Sequence, residues 1–201
     1  MEKTNEYYMA QALRLASKAE AIDEVPVGAL VVHKGNIIGR GYNRRQTKQN
    51  PLEHAEIMAI QQASRKLKSW RLEDCDLYVT LEPCPMCAGA IIQSRIANVY
   101  FGASDPKGGA VHSVTSLFDL PQWNHHPNWQ SGIMEQECSD ILIQFFRNKR
   151  ILRKQEKQKR KLEKEQTADQ KTGTETLQSV QSSDCSDSDK KKLSETKGGR
   201  S

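Results

Sequence analysis

From Asn5 to Ala21 the side chains Tyr8, Ala12, Leu15 and Ala19 recur three and four residues apart, the spacing of one helix face, with Thr4 or Asn5 placed to cap it. The period then changes. Val25 to His33 is β-branched and apolar, Lys34-Gly35-Asn36 is a turn, and Ile37 to Tyr42 resumes the strand pattern, which predicts a hairpin. A polar loop, Gln46 to Pro51, leads into a helix at His54 whose Ile57, Met58, Ile60 and Leu67 face a core. Leu77 to Leu81 reads as a strand that runs directly into Pro83 and Cys84. Pro85 fits the first position of a helix, where a missing N–H is no loss, and Ala88 to Gln93 continues it. Asn98 to Phe101 is a further strand, Val111 to Phe118 fits a strand or a loop, and Pro121 to Pro127 is irregular. Glu135 to Lys149 is a helix with Ile141, Leu142, Phe145 and Phe146 on its buried side. Helix and strand patterns alternate from Glu53 to Phe101, so the fold class is α/β with a mixed sheet.

Beyond Ile151 the pattern stops. Residues 151–166 are almost all Lys, Arg, Glu and Gln, which can prolong a helix into solvent but offer no packing face. After Thr167 apolar side chains are too few to offset the entropy of ordering the chain, and a disordered tail is expected. The organisation predicted is one domain, 1–153, followed by a charged C-terminal tail, 154–201. The 201 residues suffice for one sizeable core. The net charge of +5 is local: residues 1–150 carry 17 basic and 16 acidic groups, whereas 151–166 carry 7 and 3. A near-neutral domain does not coat nucleic acid indiscriminately; a polyanionic partner has to be recognised by local clusters. No apolar run of signal-peptide or membrane-spanning length occurs, so the expectation is a cytoplasmic protein without a membrane partner. Five cysteines, with Cys75, Cys138 and Cys185 scattered, do not form a secreted disulfide framework.

The remaining pair, Cys84 and Cys87, lies three residues apart at the start of a helix, which puts both thiolates on one side of its first turn. His54, at the start of another helix, supplies a third ligand. Three protein ligands leave the fourth tetrahedral position of Zn²⁺ open for water, the arrangement of a catalytic rather than a structural site. Glu56 then stands beside that water as general base. His112, His125 and His126 are loop histidines of the kind that is usually solvated or packed, and they are not needed as ligands. Asn43, after a strand, is by its own position as consistent with a turn residue as with a substrate contact.

The sequence His54-Ala55-Glu56 followed by Pro83-Cys84-Pro85-Met86-Cys87 resembles the His-x-Glu and Pro-Cys-x-x-Cys elements of the zinc nucleobase deaminases. The likeness extends well past the zinc motif. Val25-Pro26-Val27-Gly28-Ala29, Gly41-Tyr42-Asn43-Arg44, Leu77 to Cys84, Met86 to Ala90, Ser94-Arg95-Ile96, Phe101-Gly102-Ala103, Asp105, Lys107, Gly109, Ala110, Asn124-His125 and Phe145-Phe146-Arg147 resemble the bacterial tRNA adenosine deaminases of the cytidine/deoxycytidylate deaminase superfamily. That resemblance covers about three quarters of the chain. It implies a three-layer α/β/α cytidine-deaminase-like fold and a homodimer holding one Zn²⁺ per subunit. The implied reaction is hydrolytic deamination of the wobble adenosine to inosine in a tRNA anticodon stem-loop, with release of ammonia.

By the same resemblance His54, Cys84 and Cys87 hold the metal and Glu56 shuttles protons. Asn43 bonds the purine, Val27 and Ala55 wall the pocket, Asp105 and Lys107 lie on a loop near the RNA, and Phe145, Arg147, Lys149 and Arg150 lie on the helix that borders it. The chain departs from the family at Glu53, where alanine is usual before the histidine, at Leu52 and Asn50, and at Gln144; the tail has no counterpart. Rival readings are a free-base or nucleoside deaminase of the same superfamily, acting on guanine or cytosine, and a non-catalytic zinc-binding RNA module. Glu56 and the ends Asp105 to Ala110 and Phe145 to Arg150 discriminate among them.

Overall fold

The computed structural model describes residues 3–183. Helix α1, Asn5–Ala21, starts where the Thr4 side chain accepts from the Tyr7 N–H, and buries Met9, Ala12, Leu15, Ala16 and Ala19 along one stripe. Strands β1, Gly28–His33, and β2, Asn36–Tyr42, form the expected hairpin. Helix α2 spans Ala55–Leu67, β3 spans Cys75–Leu81, α3 spans Pro85–Ser94, and β4 spans Asn98–Ala103. A short strand, β5, covers Asn128–Gln130, and α4 begins at Glu135.

The sheet order is β2-β1-β3-β4-β5. β1 is antiparallel to β2 and β3, while β3–β4 and β4–β5 are parallel, so the sheet is mixed. Period-two alternation in β1 splits its side chains between two cores: Ala29 and Val31 join the residues of α2 and α3, and Leu30 and Val32 join those of α1 and the start of α4. This produces the three layers. Close packing of α2 on β2 needs a residue without Cβ at Gly41, where a Cβ would sit 2.0 Å from the Ala55 carbonyl oxygen. The start of α2, which carries the candidate site, is thereby seated on the sheet.

The elements differ from expectation at several edges. β1 starts at Gly28, not Val25, because Pro26 has no N–H for a ladder; instead the Val27 N–H donates to the Val25 carbonyl at 2.8 Å. Residues 111–118, which fit a strand or a loop by sequence, take the loop alternative, with turns leading to a 3-10 turn at Leu117–Asp119. β5 has no precedent in the sequence pattern. It is three exposed residues long and polar at two of them, with Asn128 tied to Asn98 at 3.2 Å. Helix α4 runs Glu135–Ser183, past the Thr167 at which disorder is expected to begin. Lys, Glu, Gln and Arg favour helix without any apolar face, which accounts for the stretch to 166. Residues 184–201, the remainder of the expected tail, lie outside the described residues. Contacts divide the chain into Met1–Asn148, which holds the sheet, and Lys149–Ser201, which within the described residues is a continuation of α4.

Candidate active site

Two helices begin at the site, and each supplies the residue just ahead of its first turn. His54 is the N-cap residue of α2 and Cys84 that of α3, both extended, with φ of −80° and −73°. Neither side chain caps its own helix, so both are free to point elsewhere. Pro85 follows Cys84 at the helix start, as the sequence predicts. His54 Nδ1 lies 3.7 Å from Cys84 Sγ and 3.6 Å from Cys87 Sγ.

A tetrahedral ion bound at about 2.3 Å to sulfur and about 2.0–2.1 Å to nitrogen needs N and S atoms about 3.6 Å apart, so the donor set fits such an ion. Among the described residues these three side chains form the one cluster of His, Cys, Asp or Glu whose ligand atoms, all within 4.8 Å of one another, can hold a metal ion. Soft thiolates with one imidazole select zinc over magnesium or calcium.

The electrostatics agree. The Cys84 thiol is brought down to about 4, chiefly by the hydrogen bond from Cys87 and, against the cost of burial, by His54. Cys87 is pushed up by that same bond and by burial, and His54 is raised first by its bond to Cys84. Protons held on Cys87 and His54 would be displaced by a cation bound to the three side chains. Glu56, in the first turn of α2, is only 4% exposed, and burial pushes its carboxyl up to about 7. A carboxyl poised near neutrality both takes and gives a proton.

Val27, Asn43, His54, Glu56, Cys84 and Asp105 line a single cavity of about 170 Å³. Asn43 donates through Nδ2 to the Val25 carbonyl at 3.3 Å, while its Oδ1 is buried without a hydrogen-bond partner. An acceptor left bare in a cavity wall is costly unless a bound molecule supplies a donor, which favours the substrate-contact reading over the turn residue. Ala55 is fully buried at the first position of α2. Lys107 is exposed, and its N–H donates to Asp105 Oδ1 at 3.0 Å. Phe145 is buried and its neighbour Phe146 exposed, so the exposed ring on that turn of α4 is Phe146. Arg147 and Arg150 are exposed on α4, and Lys149 is half-buried.

Glu53 does not reach the metal ligands. Its carboxylate is held by Arg44, with Nη2 at 2.9 Å and Nε at 3.1 Å, and the Arg44 N–H donates to the Glu53 carbonyl at 3.1 Å. The loop histidines are structural: His125 Nε2 bonds the Ile96 carbonyl at 2.7 Å, His126 Nδ1 the Phe118 carbonyl at 2.8 Å, and His112 Nε2 the Ser104 hydroxyl at 3.2 Å. Burial pushes the thiols of Cys75 and Cys138 up to about 11 and about 12, so neither is reactive.

Two buried carboxylates at the cavity escape the sequence reading. Glu24 accepts from the Thr47 N–H at 2.6 Å and hydroxyl at 2.8 Å, and Glu82 accepts from the loop after β4. Glu82 carries a usable signal, since it directly follows a buried strand and stands two residues before Cys84. Glu24 carries none.

One nitrogen and two sulfurs placed to hold a metal ion, with a buried carboxyl beside them, match the donor set of the zinc nucleobase deaminases. The chain belongs to the MafB19-like deaminase family, which matches residues 3–150. Within that class it is 48% identical over 157 residues to the tRNA-specific adenosine deaminase of Bacillus subtilis (strain 168), an alignment covering 78% of this chain and 96% of that one. It is 47% identical over 154 residues to the tRNA-specific adenosine deaminase of Haemophilus influenzae, covering 76% and 89%. A solved structure from work on A-to-I editing by tRNA:A34 deaminases at the wobble position of transfer RNA superposes with a TM-score of 0.66 at 46% identity, covering 68% of this chain and 99% of that one. The three-layer deaminase fold expected from the sequence is the fold observed.

Proposed function

We propose that the protein hydrolyses adenosine to inosine at the wobble position of a tRNA anticodon, releasing ammonia. The observation that carries this is the near-half identity to tRNA-specific adenosine deaminases over almost their whole length, in a chain whose buried Glu56 shares a cavity with His54 and Cys84, two of the three side chains placed to hold a metal ion. We assign His54, Cys84 and Cys87 as ligands of one Zn²⁺ per subunit. Bound there, zinc supplies a Lewis acid that brings the pKa of water down to about 7.

Glu56 does the proton work. Its carboxylate takes one proton from the attacking water and passes it to N1 of the purine as oxygen adds to C6; it then takes the remaining proton from that oxygen and passes it to the amine as the C6–N bond breaks. One water enters and one ammonia leaves. Asn43 Oδ1 accepts from a donor of the bound nucleotide, and Val27 and Ala55 close the walls around the base. Asp105 and Lys107 meet the RNA beside the flipped nucleotide, and Arg147, Lys149 and Arg150 on α4 bring positive charge for phosphate, while Phe145 is buried and takes no direct part. An anticodon loop presents unpaired bases, so little unstacking is needed.

The same reading makes the protein a cytoplasmic homodimer with residues 1–153 as its catalytic domain. Among the described residues no helix is long and apolar enough to cross a membrane. The deciding experiment incubates the full chain with an anticodon stem-loop bearing adenosine at the wobble position and, separately, with guanine and cytosine. Inosine and ammonia from the stem-loop alone support the reading; turnover of a free base alone points to the rival deaminases.

A further inference from the structure

Glu82 follows Leu81, the last residue of β3, and immediately precedes Pro83 and Cys84. It is 2% exposed and carries five donors, all from the segment that follows β4. Oε1 accepts the N–H groups of Val111 at 3.1 Å, His112 at 2.9 Å and Ser113 at 3.0 Å. Oε2 accepts the Asp105 N–H at 3.0 Å and the Ser113 hydroxyl. A carboxylate offers about four lone-pair sites, so none remains for substrate or for proton transfer. The segment is moulded to the carboxylate: a Cβ at Gly109 would lie 2.3 Å from it, and the Ala110 N–H is fastened to the Pro83 carbonyl at 2.9 Å.

Asp105 takes its position from this anchor. Its N–H ends on Glu82, its carbonyl accepts the Gly109 N–H at 2.9 Å, and its Oδ1 accepts the Lys107 N–H at 3.0 Å. Both Asp105 and Glu82 line the cavity that holds Glu56 and His54. The Ala110–Pro83 backbone bond, the burial of Ala110 and Val111 in the core and the stacking of the His112 ring on Phe101 and Trp129 hold the far end of the segment, whereas the Asp105 N–H ends on Glu82 itself. Charge-assisted bonds to a desolvated carboxylate are strong and directional, so the anchor sets the segment's place rather than merely tolerating it.

We propose that Glu82 is a positioning residue for substrate recognition: by gathering the N–H groups of residues 105–113 it fixes Asp105 against the bound RNA, and it takes no part in the chemical step. This rests on the assignment of an RNA substrate made above. Glu82→Gln keeps the shape but replaces one acceptor oxygen with an NH₂ that confronts the donors of Asp105 and Ser113.

The test compares wild type, Glu82→Gln, Asp105→Ala and the double variant, as full-length zinc-loaded proteins below their melting temperatures, on the anticodon stem-loop. Glu82→Gln is expected to raise KM about tenfold, the scale of one buried group left unmatched, with kcat within about twofold of wild type. The double variant should be no worse than the more severe single one, because both changes remove the same contact. Should Glu82→Gln fail to fold, Ser113→Ala removes one donor and is expected to raise KM about threefold in the wild-type background and not in Asp105→Ala.

Additive effects in the double variant, a fall in kcat at unchanged KM, or an unchanged KM would each overturn the role, since a purely structural residue lowers the melting temperature without this pattern. A wild type inert toward the stem-loop would overturn the substrate assignment and this role together, whereas an active wild type with additive variants would overturn this role alone.

Discussion

His54 and Cys84 each stand one residue ahead of a helix, and their side-chain donors meet 3.7 Å apart between the two helix starts. Helix starts present unpaired N–H groups and a positive dipole end, which favour an anion such as the Cys84 thiolate, whose thiol is brought down to about 4. The metal-binding geometry is therefore set by where two helices begin on the sheet rather than by a dedicated loop.

Cys87→Ser is expected to lose the metal and with it stability, because ligand binding and folding are coupled. Metal content measured on the purified protein, together with the melting temperature, checks this. Full zinc occupancy in Cys87→Ser would show that the ligand set is wrong.

The Arg44–Glu53 pair is expected to hold the approach to His54 without influencing the metal. Glu53→Ala should cost about 0.5–1 kcal/mol, the scale of a partly exposed ion pair, and leave zinc content unchanged. Chemical denaturation of Glu53→Ala, Arg44→Ala and the double variant measures the coupling. Loss of zinc in Glu53→Ala would instead place this carboxylate in the support of His54.

Glu82 also leaves a mark on acid stability. Burial alone would raise its carboxyl, but the hydrogen bonds from His112, Ser113 and Asp105 outweigh burial and hold it at about 2. A depressed folded pKa gives stability that is complete above the ordinary carboxylate value of 4.5 and is lost as pH falls from there to about 2. Relative to Glu82→Gln, the wild type should keep a constant stability difference above pH 5 and lose on the order of 3 kcal/mol of it toward pH 2. Denaturation curves for both proteins across that range test the sign; a difference that grows on acidification would refute it.

The cluster of His54, Cys84 and Cys87 is legible in the sequence because metal chemistry restricts residue type and spacing: Cys84 and Cys87 three apart behind Pro83, and His54 with Glu56 two apart, fit few roles besides an open metal site. Helices α1 to α3 and the hairpin were legible from periodicity, since each packs one face on the sheet. Strand β5 was not, because Asn128–Gln130 is short, exposed and polar at two positions, and pairing with β4 rather than its own pattern makes it a strand. The anchoring role of Glu82 was hidden for a related reason. Its partners lie 23 to 31 residues further along the chain, in a segment with no regular period. Glu53 stands out in the sequence as a departure from the family, yet its partner Arg44 emerges only from the fold.

Truncation after Arg153 should leave deamination of a minimal stem-loop within about twofold of the full chain, since the family match ends at residue 150. Kinetics on the two proteins side by side decide this, and a large fall in activity would bring the following segment into the active protein.

The most direct test compares wild type with Glu56→Ala on an anticodon stem-loop carrying adenosine at the wobble position, following inosine and ammonia while zinc content and RNA binding are measured on the same samples. Wild type should produce one ammonia per inosine, and Glu56→Ala should lose at least about 10²-fold in rate with zinc and RNA still bound. Undiminished deamination by Glu56→Ala would contradict the account.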